Sequence, residues 1–290
     1  LTWPVASVGW VTSLVQRAEA SMERINEFLR TQSKISNSIT AKTDISGDIQ
    51  FENISFTYPD TEIQALKNIN FRVKENETLG IFGKTGSGKS TIANLMFRLY
   101  DSSEGNISFG GKHIKKLNLS ELRRNIGYVP QDGFLFSGTV NENISFGKDQ
   151  FTEEEIKQAS RTAEIDEEIE NFPKKYDTII GERGVQLSGG QRQRISIARA
   201  VFIQPSIFIF DDSLSSIDAN KEQKILKNLK NKTENNTNII ISHRTSSLKD
   251  ANHIIVLENG SISEQGTHNN LIEQNRFYAQ MHKKQTTENL

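Results

Sequence analysis

The chain has 290 residues, with 35 Lys and Arg against 36 Asp and Glu, a formal net charge of −1 and no cysteine. Disulfides and thiolate metal centres are therefore excluded, and the balanced charge gives no electrostatic reason to expect a nucleic-acid partner. With 35% hydrophobic residues there is material for a real core, and the length suits two domains or one large α/β domain with an extension.

The chain opens LTWPVASVGWVTSLVQ before charges arrive at Arg17 and Glu19. Thr, Ser and Gly interrupt this run, and it is too short to span a bilayer alone, which takes about 20 apolar residues. It lacks the charged start, apolar middle and cleavage site of a secretory signal. From Val15 to Leu29 the pattern is helical, with Ala18, Met22, Ile25, Phe28 and Leu29 set against Arg17, Glu19, Glu23, Arg24 and Glu27. One reading of residues 1–30 is an amphipathic soluble helix. The other, favoured by the motifs downstream, is the cytoplasmic end of a transmembrane helix with Trp3 and Trp10 near the interface. Residues 31–47 are polar and without period, and read as a linker.

From Asp48 the character changes. Ile49, Phe51, Ile54, Phe56 and Tyr58, then Ile69, Phe71 and Val73, predict short antiparallel strands. Thr78–Phe82 is a compact apolar strand, with a helix predicted over Lys89–Tyr100. Asn106–Phe109 and Ile126–Val129 are further strands, and residues 151–172 read as a charged helical lobe. Apolar strands at Ile207–Phe210, Asn238–Ser242 and His253–Leu257 alternate with helices near Ala219–Lys232 and Thr267–Gln280. After Met281 the polar sequence reads as a frayed tail. The alternation predicts an α/β fold: a parallel-sheet core, an antiparallel β lobe and a helical insertion.

Three stretches carry chemistry. Gly83-Lys84-Thr85-Gly86-Ser87-Gly88-Lys89-Ser90, with Thr91 next, fits a phosphate-binding loop between a strand and a helix. Glycines let backbone N–H groups curl round phosphates, Lys89 adds a point charge, and the Ser90 hydroxyl can ligate Mg²⁺. Asp211 ends the run IFIFD, which sets a carboxylate at the C-terminal end of a buried strand, where ligands bind in open α/β sheets. It suits Mg²⁺ held through a water shell; the alternative is a cap for the next helix, a task Asp212 could also take. Leu187-Ser188-Gly189-Gly190-Gln191 leads into a helix at Gln191–Val201 and points N–H groups and a hydroxyl at an anion. One chain thus holds two phosphate-binding devices.

In both devices the chain resembles the ATP-binding cassette (ABC) ATPases, in which ATP is sandwiched between the phosphate loop of one subunit and the LSGGQ of another. The resemblance covers residues 48–283, with 284–290 left as tail, and implies a P-loop NTPase (RecA-like) core with a helical signature lobe. It also implies roles for residues that are weak signals alone. Gln131, in YVPQD, would reach the metal and the attacking water; a lone loop Gln is usually just solvated. His243, in ISHRTSS, would contact the γ-phosphate rather than serve structure. Tyr58, in FTYPD, would stack on adenine, a contact worth about 1–3 kcal/mol, rather than fill a strand core. Ser215–Asp218 would cross to the partner's nucleotide. Gly181-Glu182-Arg183-Gly184, together with Leu135–Val140 and Asn143-Ile144, looks like the exporter branch, which also fuses its ATPase behind a transmembrane helix.

One position departs from the family: the residue after Asp211 is normally Glu, the general base, and here it is Asp212. Losing one methylene withdraws the carboxylate by about 1 Å, while a base must lie roughly 2.6–3.2 Å from its water. A misplacement of about 1 Å can cost on the order of a hundredfold. Either Asp212 still works after a small backbone shift or the site binds ATP and hydrolyses it poorly. With LSGGQ intact, the pattern resembles the weak-site subunit of bacterial heterodimeric multidrug exporters.

The expectation is therefore an ATP- and Mg²⁺-dependent ATPase domain of an exporter of drugs or lipid-like amphiphiles, paired with a second half-transporter. It would sit at the cytoplasmic face of the cell membrane through its own transmembrane domain. An ATP-gated clamp without transport, or a homodimeric exporter with slow turnover, is the alternative.

Overall fold

The computed structural model describes residues 2–31, 33, 35–37, 39–148, 150–181, 186–232 and 236–288, in two units, 1–36 and 37–290. The first unit is a single helix, α1 (Thr2–Arg30), whose Trp3, Trp10, Phe28 and Leu29 are exposed. Among the described residues no helix is long and apolar enough to cross a membrane.

In the second unit, β1 (Ile49–Thr57) pairs antiparallel with β2 (Gln64–Val73) and turns Ile49, Phe51, Ile54 and Phe56 inward. Then come β3 (Thr78–Gly83), α2 (Lys89–Met96), β4 (Glu104–Phe109), β5 (Lys112–His113), α3 (Leu119–Arg124) and β6 (Ile126–Val129). The helical insertion runs through β7 (Gly138–Thr139), α4 (Val140–Ser145), α5 (Glu153–Thr162), α6 (Asp166–Glu170) and β8 (Ile179–Ile180). Beyond it lie α7 (Gly189–Phe202), β9 (Ile207–Asp211), α8 (Ala219–Lys232), β10 (Thr237–Ser242), β11 (His253–Glu258), β12 (Ser261–Gly266), α9 (His268–Glu273) and α10 (Phe277–Glu288).

The strands form an antiparallel sheet, β2-β1-β4-β5, and a main sheet, β12-β11-β3-β10-β9-β6, in which only the edge strand β12 runs antiparallel. A parallel strand is covered on both faces and so reads as an unbroken apolar run rather than an alternation. β9 is buried at every position, and so are Ile254, Ile255, Val256 and Leu257 of β11.

Helix boundaries differ from the sequence reading at three places, and at each a non-glycine residue takes left-handed backbone. The helix after the phosphate loop stops at Met96 because Arg98 has φ 51°. The charged lobe is two helices, divided where Glu164 has φ 54°, and the predicted helix Thr267–Gln280 is divided where Asn275 has φ 52°. Its second half does not fray but runs on to Glu288.

The β3–α2 connection depends on Gly88, which has φ 102° and faces the first strand pair. A Cβ there would lie 2.7 Å from the Ala65 carbonyl oxygen and 2.8 Å from Leu66 Cδ2, so a side chain would meet both strain and collision. Gly86 has φ 80° but open space around it. In the signature lobe one carboxylate ties three helices together. Glu168 of α6 binds Arg194 of α7 at 2.8 Å and 3.0 Å, Lys221 of α8 at 2.5 Å and the Gln191 side chain at 3.0 Å. Burial pushes the Glu168 carboxyl up, but the bonds from Arg194, Lys221 and Gln191 outweigh it and hold the group at about 2.

Both features are open to test. Gly88→Ala should destabilise the fold by about 2–3 kcal/mol, whereas Gly86→Ala, with strain alone, should cost about 1 kcal/mol; urea unfolding of the two variants checks the order. Because the Glu168 pKa is depressed on folding, its stabilising contribution is present above about 4.5 and lost as pH falls towards 2. Glu168→Gln should cost about 2 kcal/mol at neutral pH by leaving Arg194 without its carboxylate, and should flatten the pH dependence in that acid window.

Candidate nucleotide-binding site

The parallel register brings distant residues to one rim. Ser242 of β10 lies level with Phe82 of β3, Ile241 with Asp211 of β9, and Phe210 with Val129 of β6. The segments leaving these four strand ends carry Gly83–Ser90, Asp211–Asp212, Gln131 and His243, so four of the predicted groups meet at the carboxyl edge of the sheet. A cavity of about 500 Å³ opens there, lined by Tyr58, Gly86, Lys89, Ser90, Gln131 and both aspartates.

Lys89 is the first residue of α2, and its side chain folds back so that Nζ donates to the carbonyls of Gly83 and Lys84, each at 2.9 Å. Burial lowers its pKa while Asp212 and Asp211 oppose that shift, so two carboxylates keep the ammonium charged in a desolvated place. Ser87 Oγ is buried and without a hydrogen-bond partner. It lies on the inner side of the loop, 2.6 Å from where a Gly83 Cβ would sit, and Ser87 is not among the residues lining the cavity.

Ser90 Oγ donates to Asp211 Oδ1 at 3.1 Å, and the Tyr128 hydroxyl to Oδ2 at 3.2 Å. Burial pushes the Asp211 carboxyl up, and the bonds from Ser90 and Tyr128 pull against it. A hydroxyl beside a carboxylate is a hard-oxygen pair that fits Mg²⁺, whose remaining ligands would be phosphate oxygens and water. The pressure towards protonation at Asp211 is what a divalent cation would relieve.

Asp212 comes directly after β9 with φ 48° and is only 13% exposed. Both its oxygens face His243 Nδ1, at 2.7 and 2.6 Å, and the imidazole is about half exposed. Neither Asp211 nor Asp212 caps the next helix; the Asp218 carboxylate accepts from the N–H groups of Asn220 and Lys221 at the start of α8. Tyr58 lies just past β1. Its hydroxyl bonds Thr91 Oγ1 at 3.1 Å, and its ring meets Phe56 and Tyr100 edge-on, at 4.9 and 5.4 Å between centroids. The ring both packs on the strand and lines the cavity.

The second device lies elsewhere. Ser188 caps α7, with Oγ accepting from Gln191 N at 3.2 Å while Gln191 Oε1 accepts from Ser188 N at 2.9 Å. With its Nε2 donating to Glu168, the Gln191 side chain is engaged at both ends inside the chain. Ser188, Gly189, Gly190 and Gln191 are not among the residues lining the cavity. The Ser215–Asp218 loop is tied back by Arg244, whose Nη2 donates to Ser215 O at 2.8 Å and whose Nη1 pairs with Glu222 at 3.1 Å. Of the exporter-like run, Gly181 is described and residues 182–185 lie outside the described residues.

Sequence reasoning missed part of the cavity wall. Asn259 and Gly260, the turn between β11 and β12, line it beside Ala65, and Gly260 O accepts from Lys67 N at 2.7 Å. The Asn-Gly pair announces a hairpin turn, but nothing local says which wall that turn will close. Tyr128, the donor to Asp211, carried no signal beyond its strand.

Residues 66–215, just over half of the chain, match the family model of the ABC transporter. The chain is 42% identical over 286 residues to the probable multidrug resistance ABC transporter ATP-binding/permease protein YheI of Bacillus subtilis, covering 98% of this chain and 49% of that protein. It is 38% identical over 283 residues to the ATP-dependent lipid A-core flippase of Escherichia coli K12, covering 97% of this chain and 49% of the flippase. Among solved structures it superposes on a bacterial Atm1-family ABC exporter with ATP bound, at 35% identity and a TM-score of 0.88, over 98% of this chain and 50% of that one. The chain thus spans about half the length of the curated relatives it matches. On the matched motif region, from the second strand through the phosphate loop and signature to the second aspartate, the chain belongs to the ABC transporter family.

Proposed function

We propose that this chain is the ATP-binding and hydrolysing domain, residues 48–283, of an exporter half-transporter at the cytoplasmic face of the cell membrane. The carrying observation is the separation of the two anion-binding devices. The phosphate loop, Asp211, Asp212 and Gln131 share one cavity, while the Ser188–Gln191 helix end is not part of it. A helix N-terminus presenting Gly189 and Gly190 N–H groups and the Ser188 hydroxyl then serves a nucleotide on a second subunit.

At this chain's own site, the loop from Gly83 to Thr91 cradles the phosphates, Tyr58 stacks the base, and Ser90, Asp211 and Gln131 hold Mg²⁺. The cation, when bound, neutralises phosphate charge and polarises the transferring group. Lys89 leaves the Gly83 and Lys84 carbonyls for the phosphates. Asp212 is the candidate base and His243 the group facing the γ-phosphate. A short carboxylate already held by an imidazole on both oxygens favours retention of ATP over its hydrolysis.

Residues 1–30 are proposed as the cytoplasmic end of a transmembrane helix, joined by the linker 31–47. The exposed rings of Phe134, Phe136 and Phe146 beside the Gln131 loop support contact with a transmembrane partner. Phe136 and Phe146 stack at 4.5 Å, with the Arg199 guanidinium 5.4 Å from the Phe136 centroid. The names of the relatives support drugs or lipid-like amphiphiles as cargo; a second half-transporter would supply the signature facing this site, and the weak site would make the pair a heterodimer.

Binding and turnover measured side by side test the reading. Lys89→Ala should weaken MgATP binding to this chain by about tenfold or more through loss of a charge-assisted contact. Ser188→Ala should leave that binding intact and lower ATPase rate in the assembled pair. Asp212→Glu should raise hydrolysis at this site by about tenfold or more, and Asp212→Asn should change it little. Equal loss of binding in the Lys89 and Ser188 variants would reject the face-to-face arrangement. A collapse of turnover in Asp212→Asn would make Asp212 a working base, and an ATP-dependent clamp is what remains if no membrane partner pairs with the chain.

A further inference from the structure

The loop that carries His243 leaves β10 at Ser242, beyond the last rung of the sheet, so its backbone groups need partners from elsewhere. They find them on the C-terminal helix. Gln285 of α10 donates from Nε2 to the His243 carbonyl at 2.6 Å and accepts at Oε1 from Thr245 N, at 2.9 Å, and from Thr245 Oγ1, at 3.0 Å. The backbone settles which way the amide points: an N–H must face the oxygen and a carbonyl must face the nitrogen. Thr245, almost wholly buried, has one hydroxyl proton and gives it to Gln285, so the His282 Nδ1 lying 2.9 Å from the same oxygen is the donor there. A carboxylate at 285 would lack the donor for the His243 carbonyl, and Asn would fall one methylene short.

The same helix is braced against the phosphate loop. Tyr278 is fully buried with its ring edge-on to Phe82, 5.1 Å between centroids, and Phe82 directly precedes Gly83. Lys84 Nζ lies 5.0 Å from the centroid of Phe277. Tyr278, His282 and Gln285 succeed one another at i, i+4 and i+7, so one face of α10 both enters the core and grips the loop.

We propose that Gln285 is a positioning residue for the His243 loop, and that the C-terminal helix thereby sets how strongly the site prefers a nucleoside triphosphate to a diphosphate. The inference rests on the nucleotide reading above, in which His243 faces the terminal phosphate. The clamp fixes the loop's backbone at two points on either side of Arg244, which leaves the His243 ring to turn only about its own side-chain bonds. Releasing it frees the ring from the height at which it meets Asp212 and the phosphate.

The test is equilibrium binding of MgATP and MgADP to the full chain, wild type and variants. Gln285→Ala and the near-isosteric Gln285→Glu should each cut the preference for ATP about fivefold, the scale of one lost net hydrogen bond, with ADP affinity unchanged. Thr287→Ala, on the same helix and with its hydroxyl donating to the Lys283 carbonyl rather than to the His243 loop, should match wild type. In a His243→Ala background, Gln285→Ala should add nothing. An ATP preference that His243→Ala abolishes and both Gln285 variants spare would overturn the clamp alone. Equal weakening of both nucleotides would also overturn it, by making Gln285 a general support of the fold. A wild type without any preference for ATP would overturn the clamp together with the phosphate contact on which it rests.

Discussion

The structure depends on one constraint, the common register of the parallel strands. Because β3, β10, β9 and β6 run parallel and each ends within one rung of its neighbour, four unrelated stretches of chain leave the sheet at the same edge. Beyond the last rung the backbone has no ladder, and each departing segment must satisfy its polar groups with side chains or with something from outside. The phosphate loop uses Lys89 for its own carbonyls, and the segment after β10 uses Gln285. Asp211 takes Ser90 and Tyr128. The cavity opens beside these contacts, with Lys89, Ser90 and Asp211 on its wall.

Charge is set by that crowding. Two aspartates in sequence and one lysine occupy a desolvated rim, and burial works against the charged form of each group that it shifts. The ammonium is kept charged by the two carboxylates, while the Ser90 hydroxyl and the Tyr128 phenol favour the charged form of Asp211. A nucleotide with its cation would bring negative and positive charge in together, which relieves the lysine and Asp211 at once. On the proposed reading, binding is an exchange of partners within a pre-positioned set, with little reorganisation of the strands themselves.

Much of this was legible in the sequence, for a physical reason. Apolar runs bounded by glycines and polar turns mark parallel strands, and the motifs at their ends sit where register will bring them together. The antiparallel pair, the core strands and the Asp211 position could all be read in this way. Three helix ends could not, since Arg98, Glu164 and Asn275 enter left-handed backbone for tertiary reasons that no local preference announces, although the span Ala219–Lys232 is legible as it stands. Nor could the partners of the site. Glu168, Tyr128, Asn259 and Gln285 act on residues far away in the chain, and the polar run after Met281 reads as tail because its apolar anchors, Phe277 and Tyr278, come before it.

Asp212 brings the local and the functional arguments together. The backbone at this position is left-handed, a conformation that Asp and Asn enter more readily than longer side chains do. The shorter carboxylate is thus at ease where the chain turns away from β9, and there it meets His243 with both oxygens. A longer acid would reach further into the cavity at the cost of a less favourable turn and of that double contact. On the proposed reading, the same residue choice that shortens the reach towards a water also steadies the His243 loop through that contact. On that reading, a site built in this way is better suited to holding its nucleotide than to cleaving it, and the turn at the strand end and weak hydrolysis become two consequences of one missing methylene.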